Sequence, residues 1–172
     1  DDTAAKDAGT DLSTSLSTDI DGQTRPAQSV FDIGADEAPT RIYRSVGPSK
    51  TDTLDDDAGH TKNVTLTAGV ATFSAPLPDN IGVGDVVIID TAGTADTIDS
   101  ADTLLFIQKR NSSTSYNLQA NDGSVPGDIP INDTWQIYRA HTSMGQADNG
   151  TVNSTLSGLG FSFNGGGRDL LA

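Results

Sequence analysis

Val64-Thr65-Leu66-Thr67-Ala68-Gly69-Val70-Ala71-Thr72-Phe73 decides the fold class. Apolar and polar residues alternate on both sides of Ala68-Gly69, which is the period of a strand with one buried face. With a two-residue loop, Leu66 stands opposite Ala71 and Val64 opposite Phe73, so every apolar side chain falls on one face, as a half-buried hairpin requires. Ala-Gly is an imperfect pair for a type I′ turn, which needs positive φ at both positions. A three-residue loop with Gly69 left-handed is the alternative, and it shifts the register by one.

Outward from this hairpin, Val86-Val87-Ile88-Ile89 and Leu104-Leu105-Phe106-Ile107 are apolar on both faces and predict central strands covered on both sides. Residues 115–119 and 134–138 complete the set, and residues 42–46 form a further short strand candidate. Trp135 shares a face with Ile137 and so belongs to the core, whereas Trp135 and Tyr138, three apart, cannot form one sugar-stacking platform with Tyr116 and Tyr43. Composition agrees: 23 of the 24 acidic residues are Asp, Glu37 being the exception, and they lie among 18 glycines. Asp, Asn, Ser and Gly compete with helix for the backbone and favour turns. The prediction is an all-β chain with five or six core strands, a small antiparallel β-barrel or a compact two-sheet module with extended strand-like N- and C-terminal tails. Leu, Ile, Val and Phe number 21 in residues 62–139 but only 16 in the other 94. The expected division is therefore an extended tail at 1–40, a strand and acidic loop at 41–61, a central β-domain at 62–140, and a Gly-rich strand tail at 141–172.

A formal net charge of −14 disfavours nucleic acid, because phosphate binding needs a basic face. No apolar run approaches the roughly 18 residues of a membrane helix. Without Cys there is neither a disulfide nor a thiolate metal site. Beginning at Asp1 without Met, the chain reads as processed or excised. Gly82-Val83-Gly84 leads into a strand and not a helix, so it reads as a turn, not a phosphate loop. Neither His60 nor His141 sits in a catalytic signature, and the chain is read as non-enzymatic. Asp55, Asp56 and Asp57, and the spaced Asp96, Asp99 and Asp102, are the candidate oxygen ligands for Ca²⁺, although neither group fits an EF-hand loop. Five sequons, at Asn63, Asn111, Asn132, Asn149 and Asn153, are the candidate glycosylation sites. Lys62 and Lys109 are the lysines considered for a covalent crosslink to Asn or Asp.

Asp19-Ile20-Asp21-Gly22-Gln23-Thr24-Arg25-Pro26, followed by Phe31-Asp32-Ile33-Gly34-Ala35-Asp36-Glu37, resembles the closing segment of bacterial right-handed parallel β-helix surface proteins, over roughly residues 5–37. Residues 64–139, including Leu77-Pro78-Asp79-Asn80-Ile81-Gly82-Val83-Gly84-Asp85, look similar to a small β-module that follows such solenoids in large secreted bacterial proteins. The resemblance implies an extracellular or cell-surface location. Residues 158–163 alternate with period two and read as an exposed strand without a local partner, which seeks a neighbour. Val30, Phe31 and Ile33 in one tail and Leu159, Phe161 and Phe163 in the other are thus the expected self-association residues. The expected function is a structural module that polymerises head-to-tail with copies of itself into a filament or surface array. A carbohydrate- or surface-binding module of a larger adhesin or hydrolase, with surface glycans as partners, is the alternative.

Overall fold

The computed structural model describes residues 10, 42–47, 54–56, 59–92, 97–163 and 170–171. Ile42–Ala172 form one compact unit, and Asp1–Arg41, of which only Thr10 is described, form another. The described elements in chain order are β1 (Arg44–Ser45), β2 (Asp55–Asp56), β3 (Val64–Thr67), β4 (Val70–Phe73), β5 (Val86–Ile89), β6 (Thr103–Arg110), β7 (Ser115–Gln119), β8 (Ile129–Asn132), β9 (Trp135–Tyr138), α1 (Met144–Asp148), α2 (Ser154–Gly158) and β10 (Leu170–Leu171). The chain is all-β in class, with one eight-stranded antiparallel sheet in the order β2-β9-β5-β6-β7-β4-β3-β8. β1 and β10 pair in parallel as a separate two-stranded ladder.

The β3–β4 hairpin takes the two-residue loop: Val64 pairs with Phe73 and Leu66 with Ala71. Both turn residues are left-handed, Ala68 at φ +48° and Gly69 at φ +76°. The strained Ala68 is held by a hydrogen bond from its N–H to the Asp128 carboxylate (2.8 Å), and the Gly69 carbonyl accepts from Leu118 N–H. Packing of the apolar face thus overrides the poor turn chemistry.

One short connection fixes how the sheet bends. In a flat sheet β8 and β9 would lie six strands apart, about 29 Å at the usual spacing. Only Asp133 and Thr134 separate them in sequence, a reach of about 11 Å. The sheet therefore rolls so that its two end strands, β2 and β8, approach the same side. It does not close: β2 and β8 remain its two ends, so the expected barrel is a curled open sheet.

Rolling separates an inside from an outside. The inner core gathers Val64, Leu66, Phe73, Val87, Ile89, Leu105, Ile107, Leu118, Trp135 and Ile137, with the Phe73 ring edge-on to Trp135 (5.0 Å) and to Tyr116 (5.8 Å). Alternate residues of β5, β6 and β9 point the other way. Val86, Ile88, Phe106 and Tyr138 form a second core with Val152, Leu156, Phe161 and Phe163. All four residues of β5 are buried, as their two-faced apolar character predicts.

The C-terminal half departs from expectation. Residues 158–163 are not an exposed strand: α2 ends at Gly158, and Phe161 and Phe163 lie buried in a non-strand segment. The outer face of β5, β6 and β9 is apolar and close at hand, so the alternating phenylalanines bury there within their own unit. The strand count rises because β8, which contains Pro130, pairs along only one edge, where a missing N–H is tolerated. Among the described residues no helix is long and apolar enough to cross a membrane.

Candidate functional site

Two places concentrate chemistry: a buried polar seam under β1, and the open lip of the sheet at β8. The seam is built from the loop before β5. Asp85, with 0% exposure, accepts from Arg139 Nη1 at 2.6 and 2.8 Å and from Gly82 N–H at 2.8 Å, and its carboxylate also takes the Ser45 hydroxyl. Burial pushes the Asp85 carboxyl up, and the Ser45, Gly82 and Arg139 donors pull it back. Arg139 Nη2 also donates to the Asn80 carbonyl (2.9 Å). From β6, Arg110 donates to the carbonyls of Asp79 (2.9 Å) and Ile81 (3.0 Å) and to the Asp79 carboxylate (3.1 Å). Two guanidinium groups thus clamp one loop, satisfying carbonyls that no strand partner reaches.

β1 lies across this loop. Ser45 N–H donates to the Gly84 carbonyl (2.8 Å), and Ser45 accepts from His141 N–H at its carbonyl (3.0 Å) and from Ala140 N–H at Oγ (3.1 Å). Arg44 is buried with its guanidinium 5.0 Å from the Phe163 ring centre and 5.6 Å from that of Phe106. His141 is buried edge-on to Phe163 (5.6 Å), with Nδ1 2.8 Å from the Thr151 carbonyl. A carbonyl only accepts, so Nδ1 carries the proton. Burial, with Arg44 adding to it, holds the His141 imidazole below its ordinary value against the opposing Thr151 bond.

Ser45, Asp85 and His141 share this seam, yet their bonds are not those of a hydrolytic relay. In a relay the imidazole stands between hydroxyl and carboxylate. Here Ser45 Oγ meets the carboxylate directly, and the imidazole nitrogen that would meet the acid faces Thr151 instead.

The sequence-predicted cation ligands are spread over two elements. Asp55 on β2 pairs with Lys62 (3.3 Å), and Asp56 is its neighbour on that strand. Asp102 accepts from the backbone N–H groups of Thr91 (3.0 Å), Ala92 (3.1 Å) and Asp99 (2.8 Å), so its carboxylate organises the loop into β6. Asp99 accepts from Ala101 N–H (2.7 Å). Asp57 and Asp96 lie outside the described residues. Among the described residues no three His or acidic side chains come together as a metal site would require.

Of the sequon asparagines, Asn111 and Asn149 are exposed, and Asn63 and Asn132 are half-buried. Asn153 has 0% exposure: it caps α2 by accepting from Thr155 N–H (2.9 Å) and donates to the Arg139 carbonyl (3.3 Å). The residues expected to self-associate divide similarly. Phe161 and Phe163 are buried in the outer core and Leu159 packs against it, whereas Val30, Phe31 and Ile33 lie outside the described residues. The aromatic residues weighed as a sugar platform are interior, with Trp135, Tyr116 and Tyr138 buried and Tyr43 half-buried. Burial, helped by Asp56, pushes the Tyr138 hydroxyl up to about 12.

The lip of the sheet was missed in sequence. Among the described residues β8 has one strand neighbour, β3, and Ile131 on it is 69% exposed. Val125, in the preceding loop beside the Ala68-Gly69 turn, is 72% exposed. The run Val125-Pro126-Gly127-Asp128-Ile129-Pro130-Ile131 carried the signal, but Pro126 and Pro130 interrupt the pattern of a strand. No family model, no curated protein and no solved structure matches the chain.

Proposed function

We propose that this chain is an extracellular, non-enzymatic structural module that associates with copies of itself. The observation that carries the reading is the β8 lip, an end strand with Ile131 facing solvent and Val125 beside it. An end strand presents backbone donors and acceptors on its outer side, and addition of another strand there satisfies them. Pro130 removes one donor, so addition proceeds in a restricted register. The seam supports the same reading, since its serine, histidine, carboxylate and arginines are engaged in holding β1, the loop before β5 and the outer layer together. Val30, Phe31 and Ile33 remain, on sequence grounds, the apolar tail positions that would meet such a lip. The location rests on the resemblance of residues 5–37 to surface solenoids.

Light scattering over a wide concentration range, with negative-stain imaging, tests this. Wild-type protein is expected to show concentration-dependent oligomers or fibres, and Ile131→Lys to shift them toward monomer. A wild-type chain that stays monomeric at every concentration, with no assembly in micrographs, defeats the proposal.

A further inference from the structure

We propose that the packing of residues 142–163 against the outer face of the sheet is an acid-releasable clasp with His141 as its trigger. The inference stands apart from the self-association reading. It rests on where one side chain sits. His141 follows β9 and begins the covering segment, and its backbone is bonded to Ser45 and Gly47. Its ring reaches Thr151, past α1, and stands edge-on to Phe163 at the far end of the segment. A single residue therefore starts the cover with its backbone and touches its middle and its end with its ring.

As the neutral tautomer, His141 satisfies Thr151 through Nδ1–H. A second proton makes it a cation inside a packed layer. Among the described residues, Arg44 of β1 is the charged group acting on it, and Arg44 is itself buried over the same Phe163 ring. On the sheet side, beyond Ser45, Asp85 and Arg139 are closed on each other. Protonation thus places a charge inside a packed, desolvated layer, with the Arg44 guanidinium opposing it, an arrangement relieved by moving the cover away.

The sign follows from linkage. The closed form holds His141 below the ordinary value, near 6.5, that an opened form would regain. The clasp is fully favoured above about pH 6.5, and opening grows by up to about tenfold per pH unit as pH falls from there to the depressed closed-state value, where the effect levels. Opening uncovers Val86, Ile88, Phe106 and Tyr138 while leaving the inner core with Phe73 and Trp135 packed. Global stability is not the right readout, because acid acts on the buried Asp85 carboxyl in the opposite sense.

The test is amide hydrogen exchange of the full chain, corrected for intrinsic rates, between about pH 7.5 and about pH 5, the range in which an imidazole titrates. The amides of α1 and α2 are expected to open up to about tenfold more per unit of acidification, while β3, β4 and β7 stay protected. His141→Gln keeps a donor for Thr151 but cannot charge, and its profile is expected to be flat. Direct titration of His141 by NMR supplies a readout needing no variant: its midpoint should lie below the ordinary imidazole value. The proposal is overturned by a pH-independent opening of α1 and α2, by simultaneous opening of all strands, by a His141→Gln protein with the wild-type slope, or by a His141 midpoint at or above the ordinary imidazole value.

Discussion

Gly84→Ala probes the seam most sharply, because the cost can be worked from distances. Gly84 sits at φ +86°, and a Cβ placed there would lie 2.5 Å from Ser45 N, 2.8 Å from Arg44 C and 3.1 Å from Arg44 Cα. A left-handed alanine costs about 1–2 kcal/mol by itself. The obstructing atoms are backbone, so β1 must move. Moving it strains two hydrogen bonds, Ser45 N–H to the Gly84 carbonyl and Ala140 N–H to Ser45 Oγ, each contributing about 1 kcal/mol. The expected loss is about 3–4 kcal/mol, a large share of a domain's stability. At Gly82, two residues earlier in the same loop, an added Cβ would meet nothing within 4 Å, and the backbone is not left-handed. Gly82→Ala should therefore fall within about 0.5 kcal/mol of wild type. Urea unfolding followed by the single tryptophan measures both, with unchanged m-values expected. A Gly84→Ala protein within about 1 kcal/mol of wild type, or a Gly82→Ala protein equally damaged, refutes the close crossing of β1 over this loop.

Arg139→Met strands a carboxylate with no exposure and should cost about 3–5 kcal/mol, whereas adding Asp85→Leu should recover part of that loss in a double-mutant cycle. Ala68→Asn relieves the left-handed turn position and should stabilise the hairpin by about 1 kcal/mol in thermal unfolding. Asn153→Ala removes a helix cap and a buried donor together, an expected loss of about 2–3 kcal/mol by urea unfolding. Expression in a glycosylating host followed by peptide mapping should find sugar at Asn111 or Asn149 and none at Asn153, which is inaccessible once the chain has folded.

The sequence was most legible where burial alone sets the pattern. Val64, Leu66, Ala71 and Phe73 favour the observed register because slipping by one residue would turn one strand's apolar pair away from the other's, and Val86-Val87-Ile88-Ile89 announces two covered faces because no polar position interrupts it. The outer layer was not legible for the complementary reason. Each described helix has five residues, too few for a 3.6-residue period to show, and their only local marks are the caps Ser143 and Asn153. Phe161 and Phe163 do alternate, but alternation says only that one side is buried, and the partner surface is the back of β5, β6 and β9, far earlier in the chain. The seam was invisible because Asp85 and His141 acquire their roles only when residues 44–45, 84–85 and 139–141 meet. Asp55, Asp99 and Asp102 looked like cation ligands because a carboxylate engaged by a lysine or by backbone amides has no distinct sequence signature.

The two-residue corner between β8 and β9 has a consequence for how the molecule is made. β9 arrives last among the eight strands of the sheet, yet it lies between β2 and β5, whose residues are synthesised far earlier. From Phe73 to Tyr138 is 65 residues, about 3 to 13 s of translation at the usual rates. During that interval the inner faces of β3, β4 and β5 have no lid, which makes them the stretch most exposed to chaperones or to misassembly. The lone indole arrives on that final strand and seats against Phe73. During synthesis, burial of that indole therefore marks completion of the sheet.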